Sequence, residues 1–346
     1  MVNPHRPRKL THGDRVALLS PSFAAPALFP AVHERGVETL IRELGLVPVE
    51  YPTTRQLNAS PQARADDLNA AFADSSIRAV MATIGGDDQL TVLPFLDPTS
   101  LTNDPPAFFG YSDNTNLLLW LWFHGVSAYH GGSTLVHLAR PGAAHDAHLL
   151  SLRRALFEDG LFEIEPVSRF TDLESDWGDL QTIENELPTQ REPGWLWRGD
   201  AVARGVTWGG NLEILHWNLA TNRWIRPNED YEGAVLLLET SEEMPESSEV
   251  FRMLRNMGER GLLERFAAIV MGKAKAWSRE SPLEASARDE FRRRQSEVFF
   301  QVCEAYAPDA VLVYGPDVGH TDPQIVVPYG ATMIVDGKQR RIWAHY

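Results

Sequence analysis

A single cysteine, Cys303, stands among 346 residues. One thiol excludes an intrachain disulfide and argues against a cysteine-built zinc site. In the apolar helical stretch Val298-Phe-Phe-Gln-Val-Cys303 it reads as core packing. Long apolar runs are also missing. No segment offers 18 uncharged apolar residues, and Met1–Leu10 contains no apolar signal region, so no membrane partner is expected and the cytoplasm is the expected location. Positive charge is scarce: 32 Lys and Arg stand against 47 Asp and Glu, a formal net charge of −15. That balance argues against nucleic acid or an anionic membrane as the main partner. His145 and His148 lack the acidic spacing of an H-E-x-x-H zinc motif, and no G-x-x-x-x-G-K-[ST] phosphate loop occurs. Internal repeats and low-complexity tracts are absent as well.

What remains is an ordinary globular profile, 43% hydrophobic and 23% charged, at a length suited to two domains. In the first half, short apolar runs alternate with helical patterns. Strands are expected at 15–20, 47–51, 78–84 and 107–112. Helices are expected from Pro30 to Leu44, stopped by Gly45, and after Ser60, which serves as N-cap before Pro61. This alternation predicts a Rossmann-like parallel sheet in an N-terminal α/β domain over 1–166, with ligands bound beyond the C-terminal strand ends. Residues 167–198 are rich in acid, with seven Asp and Glu between Asp172 and Glu192, and read as an interdomain linker and surface loop. A β-rich C-terminal domain is expected over 199–346, closed by a hairpin at Asp336-Gly337.

The stretch Ala107-Phe-Phe-Gly-Tyr-Ser-Asp-Asn-Thr115 organises the rest. It reads as a strand, a sharp turn and a helix, with Ser112 at the turn. A serine there sits at the positive end of a helix, where backbone N–H groups and the helix dipole stabilise a developing alkoxide. The match to G-x-S-x-G is partial, since Asn114 replaces the last glycine. Ser112-Asp113-Asn114 reads equally as a helix N-cap cluster. Gly85-Gly86 ends the strand at 78–84 and falls at the same sheet edge, where paired glycines admit the close donors of an oxyanion hole. A plain tight turn is the alternative there.

A base and an acid are then required. His320, in the Gly/Pro/Asp-rich loop after the strand at 310–315, is the best-placed base, with His124 and His130 as rivals. Glu239 ends the apolar strand 233–240, and a carboxylate there is costly unless it is paired or faces a cleft. Glu242, Glu243 and Glu246 read as a solvated loop and helix start, and Arg292–Arg294 as a solvated helix face. Ser112, Glu239 and His320 in that chain order have the logic of nucleophile, orienting acid and base, drawn here from two domains. Trp195 and Trp197 could stack on a substrate ring or plug the space beneath a loop.

Together these motifs carry a resemblance. Gly13-Asp14, Ser20-Pro21-Ser22, Arg64-Ala65-Asp66-Asp67-Leu68, Ile84-Gly85-Gly86, Gly110–Thr115, Gly209-Gly210-Asn211-Leu212, Leu238-Glu239 and Gly319-His320 occur in an order that resembles the serine-peptidase family of LD-carboxypeptidases and microcin C self-immunity peptidases. The resemblance implies a triad on Ser112, Glu239 and His320, with oxyanion donors from the N–H groups of Gly86 and Asp113. It implies substrate contacts at Gly85, Asp87, Trp195, Trp197 and Asn211. It also implies a homodimer and no metal or cofactor. One branch cleaves the bond before D-Ala in murein tetrapeptides; the other cleaves amides joining aminoacyl or peptidyl groups to nucleotides. Gly85-Gly86-Asp87-Asp88, the length and the Trp195/Trp197 loop resemble the immunity-type branch, in which loop aromatics stack on the nucleobase. Glu242 and Glu243 depart from it, because its members tend to carry a basic residue shortly after the glutamate. The murein reading is thus the alternative. A conventional esterase and a non-catalytic two-domain binding protein for a small ligand stand behind both.

Overall fold

The computed structural model describes residues 4–101 and 104–346. The chain opens with β1 (Arg15–Leu19), α1 (Ala25–Leu28), α2 (Pro30–Leu44), β2 (Val47–Glu50), α3 (Pro61–Ala73), β3 (Ile77–Ala82), β4 (Ala107–Gly110), α4 (Thr115–Phe123), β5 (Ala128–His130) and α5 (Asp146–Phe157). It continues with β6 (Leu161–Ile164), β7 (Arg169–Phe170), α6 (Leu180–Ile183), β8 (Gln190–Arg191), β9 (Leu196–Arg198), β10 (Val202–Asn211), α7 (Leu212–Thr221), β11 (Val235–Glu239), α8 (Ser247–Glu259) and β12 (Ala268–Met271). It closes with α9 (Ala285–Tyr306), β13 (Val311–Tyr314), β14 (Val327–Tyr329), β15 (Thr332–Asp336) and β16 (Arg341–His345).

Local chemistry explains the boundaries. α2 ends because Gly45 adopts a left-handed φ of 63° while its N–H still reaches Ile41 O. α3 begins where Ser60 Oγ accepts from the Ala63 N–H and Pro61 takes the first helical position. β1, β3 and β4 are buried almost throughout, as strands covered on both faces must be.

Two large sheets result. The first runs β14-β5-β4-β3-β1-β2 and is parallel from β5 to β2, which is the Rossmann-like arrangement. The second runs β6-β16-β15-β10-β11-β12-β13-β9. Its centre, β10 to β13, is parallel, and its outer strands are antiparallel. The mixed α/β class follows, since α7, α8 and α9 accompany the strands of the second sheet. The hairpin expected at Asp336-Gly337 pairs β15 with β16.

Strands distant in the chain meet in both sheets. β14 joins the first sheet, antiparallel to β5, whereas β6 and β9 form the two edges of the second. Buried side chains of both sheets, including Phe108, Trp208 and Leu236, merge with Trp120 of α4 into a shared hydrophobic cluster. Polar contacts add to this junction: the Asn211 N–H donates to Thr115 Oγ1 at 2.9 Å, and Asn218 Nδ2 donates to Asn116 Oδ1 at 2.7 Å. Among the described residues no helix is long and apolar enough to cross a membrane.

The acidic stretch is less solvated than its composition suggests. Asp172 is buried and accepts from Arg292 at 2.5 Å. Glu192 is held with Asp317 around the buried Lys273. Burying charge is tolerable only with such partners, so these acids pin the segment to the second sheet. Arg292 likewise faces Asp172 instead of solvent, unlike the exposed Arg293 and Arg294.

Candidate functional site

β4 ends at Gly110, and Tyr111 continues extended into Ser112, whose φ of +59° is left-handed. A non-glycine residue there costs about 1–3 kcal/mol and persists only where surroundings enforce it. The enforcers are Gly85 and Asn114. Asn114 Nδ2 donates to Ile84 O and Tyr111 O, both at 3.1 Å, while its Oδ1 accepts from Gln89 Nε2 at 2.8 Å. Asn114 thus ties the turn to the Gly85-Gly86 loop. A Cβ on Gly110 would lie 2.8 Å from the Asn114 Cβ, and one on Gly85 would lie 2.9 Å from Ser112 Oγ; both positions need glycine for room. Arg64 clamps the same loop from below. It meets Asp88 through two bonds of 2.7 and 2.9 Å and donates to Ser22 O at 2.7 Å.

Asp113 is buried, its carboxylate accepting from the Gln89 N–H at 2.9 Å and Asn116 Nδ2 at 2.8 Å. Burial pushes this carboxyl up to about 6, against the opposing pull of the Gln89 bond. Its side chain therefore holds the turn together.

Glu239 ends β11 fully buried, and its Oε2 accepts from His320 Nδ1 at 2.6 Å. Gly319 packs so closely that a Cβ there would lie 2.9 Å from the Glu239 Cβ. The Tyr111 ring tilts against the His320 ring with centroids 4.9 Å apart. Among the described residues no hydrogen bond joins Ser112 to His320. The second imidazole nitrogen, Nε2, instead lies 2.9 Å from Glu242 Oε2. Burial alone would lower the His320 pKa, but the two carboxylates outweigh it and hold it well above the ordinary value. Burial would conversely raise Glu242, and the imidazolium outweighs that, holding Glu242 at about 2.

Ser112, Gly85, Gly86 and His320 line a common cavity of 470 Å³. Phe23, Phe29 and Trp177 also line it, as do Arg140, Lys275 and Arg279. Each cation is matched: Arg140 with Asp322 at 2.6 Å, Lys275 with Glu174 at 2.7 Å, Arg279 with Asp176 at 2.7 Å. Among the described residues no cluster of His, Cys, Asp and Glu has the makings of a metal site.

Other expected site residues fall elsewhere. His130 is buried with Nε2 2.9 Å from Val318 O, and burial lowers its pKa. His124 packs against Trp120 and Trp224. Neither lines the cavity. Trp195 and Trp197 also lie outside the lining, because β9 pairs Trp197 with Val313 and both rings pack on the second sheet's core. Asn211 is buried as the N-cap of α7, and Asp87 is exposed away from the lining. The aromatic that does reach the cavity from the acidic segment is Trp177. Glu242, read from sequence as solvated, is the other residue missed; its position three residues past a strand-end glutamate was the available signal.

Comparison with known proteins agrees with this fold. The model of the LD-carboxypeptidase N-terminal domain matches residues 16–131, and that of the LD-carboxypeptidase C-terminal domain matches residues 204–335. Microcin C7 self-immunity protein MccF of Escherichia coli is 24% identical over 343 residues, covering 96% of this chain and 93% of the relative. A Bacillus subtilis protein named "Probable murein peptide carboxypeptidase" is 27% identical over 336 residues, covering 94% and 90%. The structure of MccF in complex with aspartyl sulfamoyl adenosine superposes with a TM-score of 0.86 at 23% identity, covering 99% of both chains.

Proposed function

Because this chain belongs to the LD-carboxypeptidase family, matched in both of its domains, we propose that it is a serine hydrolase of amide bonds. Ser112 is the nucleophile, His320 the general base, and Glu239 the carboxylate that fixes the imidazole. Ser112 Oγ attacks the carbonyl carbon and gives its proton to His320 Nε2. The carbonyl oxygen, now an oxyanion, receives the N–H groups of Gly86 and Asp113. On collapse the C–N bond breaks, and the leaving nitrogen takes the proton from His320. Water, deprotonated by the same imidazole, then cleaves the acyl-serine and releases the free acid.

The observation that carries this reading is the left-handed Ser112, pressed against Gly85 and sharing a cavity with a buried Glu239–His320 pair. A helix cap has no need of that strain, since Asn114 and Asp113 already satisfy the turn. The substrate proposed is an aminoacyl or peptidyl amide of a nucleotide or its sulfamoyl analogue. Full-length similarity to MccF, with the aspartyl sulfamoyl adenosine held by that protein, supports it. Trp177 is the aromatic placed to meet a base. A murein tetrapeptide ending in D-Ala is the second reading, supported by full-length similarity to the protein named as a probable murein peptide carboxypeptidase.

Mass-spectrometric hydrolysis assays of wild type and Ser112→Ala decide between them. Release of amino acid from an aminoacyl-sulfamoyl adenosine by wild type alone supports the first reading; release of D-Ala from the tetrapeptide supports the second. Equal turnover by Ser112→Ala would remove Ser112 from the chemistry.

A further inference from the structure

The cavity carries one carboxylate that the proposed chemistry leaves unused. Glu242 lines it with a half-exposed side chain, and its Oε2 lies on His320 Nε2 at 2.9 Å. The other lining acids, Glu174, Asp176 and Asp322, are each neutralised by a cation at 2.6–2.7 Å. Glu242 alone of the four has no Lys or Arg partner among the described residues. In the free protein it also occupies the nitrogen through which His320 must take the Ser112 proton.

We propose that Glu242 reads the acyl side of the substrate by binding its free α-ammonium group, so that the preferred substrates are amides of unblocked amino acids. This rests on the serine-hydrolase reading above and narrows its substrate class. The location supports an α-ammonium over other cations. A charged nitrogen bound by Glu242 lies one hydrogen bond from a carboxylate that itself touches His320 Nε2. In an aminoacyl group the α-nitrogen stands about 2.5 Å from the carbonyl carbon, so it falls in that zone while the carbonyl faces Ser112. The ε-ammonium of a lysyl side chain is several bonds further out.

Two consequences follow from the contact geometry. The ammonium competes with the imidazole for the same carboxylate, so binding draws Glu242 away from His320; without that counter-charge the imidazolium gives its Nε2 proton to solvent, and Nε2 becomes free to accept from Ser112. An N-acylated residue, such as the acyl side of a murein peptide, has a neutral α-nitrogen and leaves the Glu242–His320 contact in place. Discrimination therefore arises at the base as well as in binding, because the wrong substrate meets a blocked imidazole.

The test compares alanyl-sulfamoyl adenosine with its N-acetyl form on wild type and Glu242→Gln, each pair at one pH. Any general effect of the substitution on His320 cancels in the ratio of the two kcat/KM values. Wild type should favour the free amine by about 10–100-fold, the scale of a charge-assisted hydrogen bond, and the ratio should fall to within about threefold in Glu242→Gln. A wild-type ratio near one, or an unchanged ratio in the variant, overturns the proposal. If wild type cleaves neither compound, the hydrolase reading fails separately, and calorimetric binding of both to Ser112→Ala and Ser112→Ala/Glu242→Gln decides the recognition. Preference for the free amine that disappears with Glu242 supports it; equal binding or no binding overturns it.

Discussion

Replacing Glu239 by glutamine isolates the role of one proton. The carboxylate is fully buried, its Oε2 is 2.6 Å from His320 Nδ1, and its Oε1 has no partner among the described residues. Glutamine has the same shape, so the tight packing with Gly319 is preserved. Its amide can be placed in two ways, and both impair the base. With the NH₂ towards Nδ1, the imidazole proton is forced onto Nε2, where it cannot accept from Ser112. With the amide oxygen towards Nδ1, the NH₂ takes the place of Oε1 and is buried without an acceptor, costing about 1–3 kcal/mol. In either arrangement the imidazolium formed during attack loses its counter-charge. Together these effects should lower kcat by about 10²–10⁴-fold, with KM changed far less. Steady-state kinetics on whichever amide wild type cleaves gives the number, and a thermal melt checks that the fold is retained. A folded Glu239→Gln protein within about fivefold of wild-type kcat would refute the idea that this contact sets the tautomer.

Two further outcomes follow from the geometry. Gly85→Ala puts a methyl 2.9 Å from Ser112 Oγ, so kcat should drop by about 10–100-fold through misplacement of the nucleophile while the melting temperature moves little; normal turnover would mean that the Gly85 loop does not seat the serine. Glu213 gives a pH signature in stability. Burial, aided by Glu239, raises its carboxyl to about 7 from an ordinary 4.5. Because the folded value lies above the unfolded one, the penalty is absent below about pH 4.5, grows as pH rises, and levels off at about 3 kcal/mol above about pH 7. Glu213→Gln should remove it, so urea unfolding should show the variant gaining on wild type between about pH 5 and pH 8; parallel curves would contradict this.

Much of the site is legible in the sequence because function gathers at strand ends. Ser112 and the Gly85-Gly86 pair follow parallel strands of the first sheet, Glu239 and the His320 loop fall at the ends of parallel strands of the second, and Ser112, both glycines and His320 line one cavity. Caps and stops are equally local: Ser60, Pro61 and Gly45 bound their helices through contacts within a few residues. Strand partnership is a different kind of information. The run 324–330 has the apolar character of a strand, but nothing in its periodicity says that β14 pairs with β5, joining Val327 to the distant His130, and not with its neighbour β15.

The same limit applies to charge and to aromatic residues. Composition marks 172–192 as acidic without saying which acids meet cations. Asp172, Glu192 and Glu174 turn inward because Arg292, Lys273 and Lys275 wait there, and all three cations lie far downstream in the chain. Trp195 and Trp197 are the conspicuous pair in that region, but β9 consumes them in packing against β13. Trp177, isolated among acids, reaches the cavity instead. Glu242 is the sharpest instance. In sequence it is one of three glutamates in a polar loop; in space the turn after β11 folds it back over the histidine that Glu239 holds from the other side. A site that places a carboxylate on each nitrogen of its base is closed to its own nucleophile until something draws one carboxylate away. Glu239 is fully buried and Glu242 half-exposed, so Glu242 is the partner with room to swing away. On the proposal above, a cationic substrate draws it away while keeping its charge paired.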